Sequence, residues 1–296
     1  MTYVHGQKYY LLEAKNLLSR TKKTLNLRGR LLVLDQPVVM GILNTTPDSF
    51  YQGSRVSATE AAVAQAGKML AEGAAILDVG GYSTRPGAEE VSEAEEMHRV
   101  VPVIESLKQQ FPAAILSVDT FRASVAEAAV NAGALMVNDI SGGADGRMFE
   151  TVARLQVPYV LMHSRGTPKT MAQLTQYNDL LSEILNFFMV KLHTAHKSGI
   201  KDVVMDVGFG FAKTIEQNYF LLRNLDYFRM LGLPMLVGLS RKSSIYKKLG
   251  ITADEALNGT TVLNTLALAK GAAILRVHDV KEAVETVKLY QLYEQN

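Results

Sequence analysis

Polar and charged residues end a series of short apolar runs along this 296-residue chain. The run over residues 38–43 ends in Asn44, and the run that begins at Ala75 contains Asp78. A buried carboxylate needs a donor or a counter-charge, because its charge is otherwise costly. The later runs end in residues of the same kind: Asp119, Asn138 with Asp139, His163, Asp206, Ser240 with Arg241 and Lys242, and Arg276 with His278.

The residues at these ends divide into two chemical groups. Asp119, Asn138 and Asp206 offer carboxylate and amide oxygens, which suit a ligand with several N–H donors. Arg276 and His278 lie two apart on one predicted strand and therefore face the same way. With the late Ser-Arg-Lys-Ser segment at 240–243 they suit a phosphate group. The residues thus predict a ligand with a polar heterocycle at one end and a phosphate at the other.

Two further interpretations of these residues remain open. The carboxylates could instead hold a divalent metal, although the sequence has no HxH or HExxH spacing, which argues against a transition-metal hydrolase. His163 could equally be a core histidine with satisfied hydrogen bonds.

Eight β-rich runs position the strand-end residues, and helical segments lie between them, two of which are predicted over residues 174–198 and 214–231. The alternation predicts an α/β fold, a (β/α)8 TIM barrel, in which polar residues at the carboxyl ends of the strands form the site. An open doubly wound sheet is the alternative, but no GxGxxG follows the first strand. Glycines suited to ending helices follow five helical segments: Gly73, Gly133, Gly199, Gly232 and Gly271.

The sequence before the barrel divides into an extension and a hairpin. Residues 1–23 are predicted to be partly helical and receive no function. Leu25 and Leu27 alternate with polar residues before an Arg28-Gly29 turn, which predicts a hairpin over residues 24–36. The barrel domain, including this hairpin, is predicted to span residues 24–296.

Composition excludes several classes of protein. The net charge of +2 and the absence of basic runs argue against a nucleic-acid partner. No uncharged apolar stretch approaches the roughly 18 to 20 residues of a membrane span, and no secretory segment is visible. The absence of cysteine excludes a thiolate site and fits a reducing compartment. We therefore expect a cytoplasmic protein with small-molecule substrates.

The motifs MGILNTTPDSF, LDVGGYSTRPGAEE, VDTF, VNDISGG, MDVGFGF, GLSRKS and RVHDV occur in this order. In this set and order the chain resembles the dihydropteroate synthases of folate biosynthesis, from about Thr24 to the end. The resemblance implies a transferase that joins (7,8-dihydropterin-6-yl)methyl diphosphate to 4-aminobenzoate and releases diphosphate. It also implies sensitivity to sulfonamides and a homodimer.

The resemblance implies a role for each matching residue. The pterin would be held by Asp119, Asn138, Asp206 and Lys242, with Met162, Phe209 and Gly238 nearby. The diphosphate would meet Asn44, Arg276 and His278, with Mg2+ at Asn44. Thr84 and Arg85 would close over the site, and the 4-aminobenzoate pocket would comprise Phe50, Pro86, Lys242 and Ser243. The residues implied in catalysis are Asp119, Arg85, Lys242, Arg276 and His278.

The chain departs from the family pattern at three positions. Gln52 replaces a usual acidic residue, Val207 a usual proline and Ala212 a frequent glycine.

Three rival functions remain open. They are a pterin-binding methyltransferase domain, a pterin-binding homologue without catalysis, and a Schiff-base aldolase that uses Lys242. The methyltransferase has no diphosphate to bind, so the late basic residues argue against it.

Overall fold

The computed structural model describes residues 22–45, 55–82 and 91–295. The predicted extension over residues 1–23 therefore lies almost entirely outside the described residues.

Eight parallel strands form a closed barrel, which confirms the predicted (β/α)8 fold and shows that the open doubly wound alternative is wrong. The last strand pairs with the first, with Arg276 beside Met40 and Val277 beside Gly41. Because all strands run the same way, their carboxyl ends meet at one mouth. The strands are β3 (Val38–Asn44), β4 (Ile76–Gly80), β5 (Ile115–Asp119), β6 (Met136–Asp139), β7 (Tyr159–Met162), β8 (Val203–Asp206), β9 (Met235–Val237) and β10 (Ala272–Val277).

Helices cover the outer face of the barrel. They are α1 (Arg55–Ala71), α2 (Glu93–Gln110), α3 (Ala123–Ala132), α4 (Met148–Leu155), α5 (Leu180–Ser198), α6 (Ile215–Arg223), α7 (Ser243–Leu249), α8 (Leu257–Ala269) and α9 (Val280–Gln295), with 3-10 turns at Met171–Gln173 and Leu225–Leu231. The five glycines predicted to end helices all have positive φ, which confirms that prediction.

Two predicted helix boundaries were wrong. The helix predicted over residues 174–198 begins at Leu180, because Asp179 caps its first turn by accepting a hydrogen bond from the Ser182 amide. The helix predicted over residues 214–231 ends as an α-helix at Arg223 and continues as a 3-10 turn.

The N-terminal hairpin closes the amino-terminal end of the barrel. Strands β1 (Thr24–Leu27) and β2 (Arg30–Val33) are antiparallel, and both turn residues, Arg28 and Gly29, have positive φ, as a tight hairpin turn requires. Leu25, Leu27 and Leu34 are buried against the apolar residues of the barrel interior. These interior residues are Met40, Ile76, Ile115, Met136, Val160, Val204, Leu236 and Ile274. Among the described residues, the hairpin therefore covers the end of the barrel interior that lies opposite the mouth.

None of the described helices is both long enough and apolar enough to cross a bilayer.

Candidate active site

Directly above the apolar residues that fill the amino-terminal part of the barrel interior, most of the inward-pointing residues are polar. Side chains alternate along a strand, so the residue two positions after an interior residue also points inward. This places Asp78 above Ile76, and Arg276 above Ile274. The same step brings Asn138, Met162, Asp206 and Gly238 into the interior.

Arg276 binds two carboxylates across the mouth. Its Nε donates to Asp78 Oδ2 at 2.6 Å, and its Nη2 donates to Asp119 Oδ2 at 2.5 Å. Burial alone would lower the pKa of the guanidinium, but Asp78 and Asp119 raise it above its usual value. The residue predicted at the phosphate end of a ligand thus lies directly against Asp119, a carboxylate predicted at the heterocycle end.

Asp119 is a carboxylate in unusual surroundings. Burial raises its pKa to about 7, while the positive charge of Arg276 opposes the rise and the neighbouring Asp78 adds to it. A carboxylate with this pKa changes charge near neutral pH, so binding of a ligand there depends on pH.

Asp78 is a member of the site that sequence reasoning left without a role. Its side chain is fully buried, and Oδ2 accepts from Asn138 Nδ2 at 2.9 Å as well as from Arg276. Its position at a strand end was visible in the sequence, but the two partners come from strands β6 and β10 and only the barrel brings them together.

Asp206 and Lys242 form a second charged group on the far side of the interior. Asp206 Oδ1 accepts from the Gly208 amide at 2.8 Å, and Lys242 Nζ donates to the Phe209 carbonyl. Burial lowers the pKa of Lys242 to about 8 and raises that of Asp206, and each charge opposes the shift of the other. Lys242 Nζ also lies 4.6 Å from the centre of the Phe211 ring.

Arg241 and Lys242 point to different places, although sequence reasoning grouped them at one phosphate site. Arg241 has a left-handed φ of 53° and donates to both carboxylate oxygens of Asp279, at 2.9 and 2.8 Å. Its Nη1 donates to the carbonyls of Ala253 and Asp254. Arg241 therefore anchors the loop before α8, and Lys242 alone faces the interior.

A buried lysine supports the loop after β8, and sequence reasoning missed it. Lys213 Nζ lies 3.0 Å from each of three atoms: the carbonyl oxygens of Gly208 and Phe211, and Nδ1 of His163. Burial lowers the pKa of Lys213 to about 7 and that of His163 to about 2. His163 is thus a neutral core histidine, in line with the interpretation that left it outside the site. The available sequence signal was a lysine two residues after the Gly-Phe-Gly-Phe segment at 208–211, but the direction of its side chain depends on the loop conformation.

The basic strand end of β10 contacts the end of β9. His278 Nδ1 lies 3.0 Å from Ser240 Oγ, and the His278 amide donates to the same oxygen at 3.1 Å. Ser240 therefore fixes the imidazole ring at the rim of the mouth.

Asn44 ends β3 beside Gly80 of β4 and is partly exposed.

Asp139 belongs to the structure of the next loop and not to the interior. Its Oδ1 accepts from the amide and hydroxyl of Ser141, and its Oδ2 accepts from the Gly143 amide and the Tyr159 hydroxyl at 2.6 Å. The side chains of the adjacent residues Asn138 and Asp139 thus point in opposite directions: Asn138 faces the interior, and Asp139 stabilises the loop.

The remaining predicted residues differ in how they meet the site. Met162 is buried in the interior, and a Cβ added at Gly238 would meet no atom within 4 Å, so there is open space above β9. The Phe209 side chain is buried in the core between barrel and helices, and its carbonyl is what Lys242 meets. Ser243 begins α7 directly after Lys242. Predictions for Phe50, Gln52, Thr84, Arg85 and Pro86 lie outside the described residues.

The described residues contain no group of three or more His, Asp or Glu side chains that could hold a metal ion. The single amide of Asn44 suits an ion such as Mg2+ that keeps several waters and is shared with phosphate oxygens.

Three comparisons place the chain among known proteins. The family model described as "Pterin binding enzyme" matches residues 40–278. The dihydropteroate synthase of Haemophilus influenzae is 42% identical over 265 residues, which are 89% of this chain and 96% of that protein.

Solved structures agree with the sequence comparison. A Yersinia pestis dihydropteroate synthase with a sulfonamide drug has a TM-score of 0.87 and 41% identity, and the match covers 92% of this chain and 100% of that one. A Xanthomonas albilineans dihydropteroate synthase in complex with 7,8-dihydropteroate has a TM-score of 0.84 and 40% identity, over 92% and 99% of the two chains.

Proposed function

Because this chain belongs to the dihydropteroate synthase family of pterin binding enzymes, we propose that it condenses (7,8-dihydropterin-6-yl)methyl diphosphate with 4-aminobenzoate and releases diphosphate. It is a transferase, and its substrates are small molecules. The observation that carries the assignment of residues is the bridge from Arg276 to Asp78 and Asp119, which joins a cationic rim to an acidic interior.

The pterin ring occupies the interior in this proposal. Asp119, Asn138 and Asp206 offer oxygen acceptors to its N–H groups, and Lys242 donates to a ring acceptor. The open space above Gly238 admits a flat ring, and Met162 supplies an apolar contact. A ring that donates hydrogen bonds to Asp119 and Asp206 satisfies carboxylates whose burial is otherwise costly.

The diphosphate lies at the rim. Arg276 and His278 face it, and Ser240 holds the His278 ring in place. Asn44 would hold Mg2+ together with diphosphate oxygens and water; when bound, the ion would supply positive charge for the leaving group. Preorganised positive groups of this kind stabilise charge that develops in the transition state.

Catalysis then needs no enzyme nucleophile. The bond between the pterin methylene carbon and the diphosphate oxygen breaks, and its electron pair leaves with the diphosphate. The carbon becomes cationic, and the negative charge of Asp119 stabilises it together with the ring. The nitrogen of 4-aminobenzoate donates its lone pair to that carbon to form the C–N bond, and the resulting ammonium passes its proton to the released diphosphate or to water. Lys242 and Ser243 form the described part of the amine pocket, and Phe50 and Pro86 complete it in this proposal. Thr84 and Arg85 close over the reacting groups.

The rival functions find no support in the comparisons. The methyltransferase domain and the homologue without catalysis differ from the relatives, which are dihydropteroate synthases. In an aldolase, Lys242 would attack a carbonyl carbon as a neutral amine. Here its Nζ donates to the Phe209 carbonyl oxygen, and the negative charge of Asp206 opposes the lowering of its pKa by burial.

Two broader predictions remain part of the proposal. A homodimer is supported by apolar side chains exposed at i and i+4 on the last two helices: Val262 and Leu266 on α8, and Leu289 and Tyr293 on α9. Sedimentation at micromolar concentration would test it, and a purely monomeric species would contradict it. The cytoplasmic location rests on the cysteine-free sequence and is tested by cell fractionation.

The decisive experiment measures pyrophosphate release from the pterin diphosphate, with and without 4-aminobenzoate and Mg2+. Release that requires the amine and the metal, with formation of dihydropteroate, is the expected result. Release without the amine would indicate a hydrolase, and pterin binding without release would indicate a binding protein. A sulfonamide should raise the apparent KM for 4-aminobenzoate without changing kcat; another pattern would place the amine elsewhere.

A further inference from the structure

Asp78 connects the two ends of the site through one oxygen atom. Oδ2 accepts from Arg276 Nε at 2.6 Å and from Asn138 Nδ2 at 2.9 Å, and the side chain is fully buried. Its partners come from strands on either side of β4 in the barrel, two strands before it and two strands after it. Asp78 is thus the one described residue that contacts both Arg276 and Asn138 by hydrogen bonds.

The contact with Asn138 decides which atom its amide presents to a ligand. A carboxylate accepts hydrogen bonds and does not donate them, so the Asn138 amino group must face Asp78. The Asn138 carbonyl oxygen is then the atom left for the ligand. With Asp78 in place Asn138 therefore selects N–H donors.

The contact with Arg276 fixes the plane of the guanidinium. Nε is held by Asp78 and Nη2 by Asp119, while Nη1 makes no hydrogen bond to any residue in the described part of the chain. A planar fork held at one edge presents its remaining N–H groups in a fixed direction. An aspartate at this place thus aims Arg276 without touching the ligand.

Comparison with Asp139 separates this arrangement from an ordinary structural aspartate. Both oxygens of Asp139 are satisfied, by four donors in its own and the neighbouring strand and loop. In Asp78 both bonds go to Oδ2, and the buried Oδ1 has no hydrogen-bond partner among the described residues. An unsatisfied buried oxygen is costly, so a carboxylate retained here calls for an explanation outside folding.

We infer that Asp78 is a positioning residue, which orients Asn138 toward the pterin and Arg276 toward the diphosphate. The inference rests on the proposed function and deepens it. Loss of the partners that orient a metal ligand typically costs about 10- to 100-fold in activity, and we expect a loss of the same order where a partner orients Asn138 and Arg276.

The test compares Asp78→Asn with Asp202→Asn. Asp202 is a buried aspartate that precedes β8 at the amino-terminal end of the barrel, away from the mouth, and it pairs with Lys22 Nζ at 2.5 Å. We expect D78N to lower kcat for pyrophosphate release by about 10- to 100-fold and to leave KM for 4-aminobenzoate within about 2-fold. D202N should retain wild-type kinetics, and both variants should melt cooperatively. An equal loss in D202N, or an unchanged kcat in D78N, would overturn the inference.

A double variant supplies a readout that a merely structural role would not move. In Arg276→Ala, Asp78 has no guanidinium to orient, so adding D78N should lower kcat by a smaller factor than D78N does alone, and the remaining loss comes from Asn138. An equal factor in both backgrounds would show that Asp78 does not act through Arg276 and would contradict the inference. If D78N does not fold, Asp78→Glu keeps the charge and displaces it; full kcat in that variant would equally contradict a positioning role.

The two proposals can fail separately. If the wild-type protein releases no pyrophosphate under any condition, the proposed function fails. Asp78 is then judged by titrating wild type and D78N with 6-hydroxymethylpterin and with inorganic pyrophosphate. Weaker binding of both ligands in D78N supports positioning, and unchanged binding of both refutes it. Weaker binding of one alone restricts the role to the residue that meets that ligand and overturns the joint role inferred here.

Discussion

Arg276 and Asp119 are joined by a 2.5 Å contact between Nη2 and Oδ2, although they come from the last and the third strands of the barrel. The guanidinium thus lies against a buried carboxylate, and in the proposed function it faces the diphosphate while that carboxylate meets the pterin.

Arg276→Ala should lower kcat for pyrophosphate release by roughly 10²- to 10³-fold, as when a preorganised charge-stabilising donor is removed. Binding of a pterin without diphosphate should change less. Stopped-flow release and fluorescence titration measure the two effects. The exposed Arg223 on α6 supplies the control Arg223→Ala, which should match wild type. Equal losses of release and of bare pterin binding would contradict the assigned role.

Asp119→Asn should weaken binding of the bare pterin by about 1 to 3 kcal/mol, because a charged acceptor for ring N–H groups is replaced by a neutral amide. Isothermal titration measures this affinity. Asp226→Asn, which alters an exposed ion pair with Lys270, should leave it unchanged. An unaltered affinity in Asp119→Asn would mean that the heterocycle binds elsewhere.

The pH dependence of kcat/KM should be bell-shaped. Asp119 acts as the anion and has a pKa of about 7, so kcat/KM rises as the pH increases through that value. Lys242 acts as the cation and has a pKa of about 8, so kcat/KM falls as the pH increases further. Lys242→Arg should move the alkaline limb upward, since arginine stays protonated. An alkaline limb that does not move in that variant would remove Lys242 from the assignment.

Ala212→Gly should raise the free energy of unfolding by about 0.5 to 1 kcal/mol, because Ala212 has a left-handed φ of 48° that glycine adopts without strain. Its carbonyl accepts from the Tyr177 hydroxyl at 3.0 Å, which holds the loop in this conformation. Chemical denaturation measures the change. Ala195→Gly, within α5, should instead lower stability by about 1 kcal/mol or more. A lower free energy of unfolding in Ala212→Gly would show that alanine adopts this left-handed conformation without strain.

The barrel could be predicted because each strand is a short apolar run and the segments between the strands have helical spacing, five of them followed by a glycine. The hairpin followed from alternating leucines around Arg28 and Gly29, and the structure confirms it. The start of α5 was missed because apolar and polar residues before Asp179 resemble a helix, while the cap at Asp179 decides the boundary.

The contacts within the site could not be predicted, for a different reason. Asp78 and Arg276 are 198 residues apart, and sequence order indicates that both point inward but not that they meet. Arg241 and Lys242 are adjacent, but their side chains point in different directions because Arg241 adopts a left-handed φ. This conformation is uncommon for arginine, and the sequence gives no sign of it. Lys213 was missed because three acceptors around it belong to a loop and a neighbouring strand.

The hairpin that packs Leu25, Leu27 and Leu34 against the barrel floor covers the interior at the end opposite the mouth. In the proposed arrangement the pterin lies deeper than 4-aminobenzoate and both enter through the mouth. We therefore expect the pterin to bind first and the amine second, so that leucines far from any reacting atom impose an order of substrate binding.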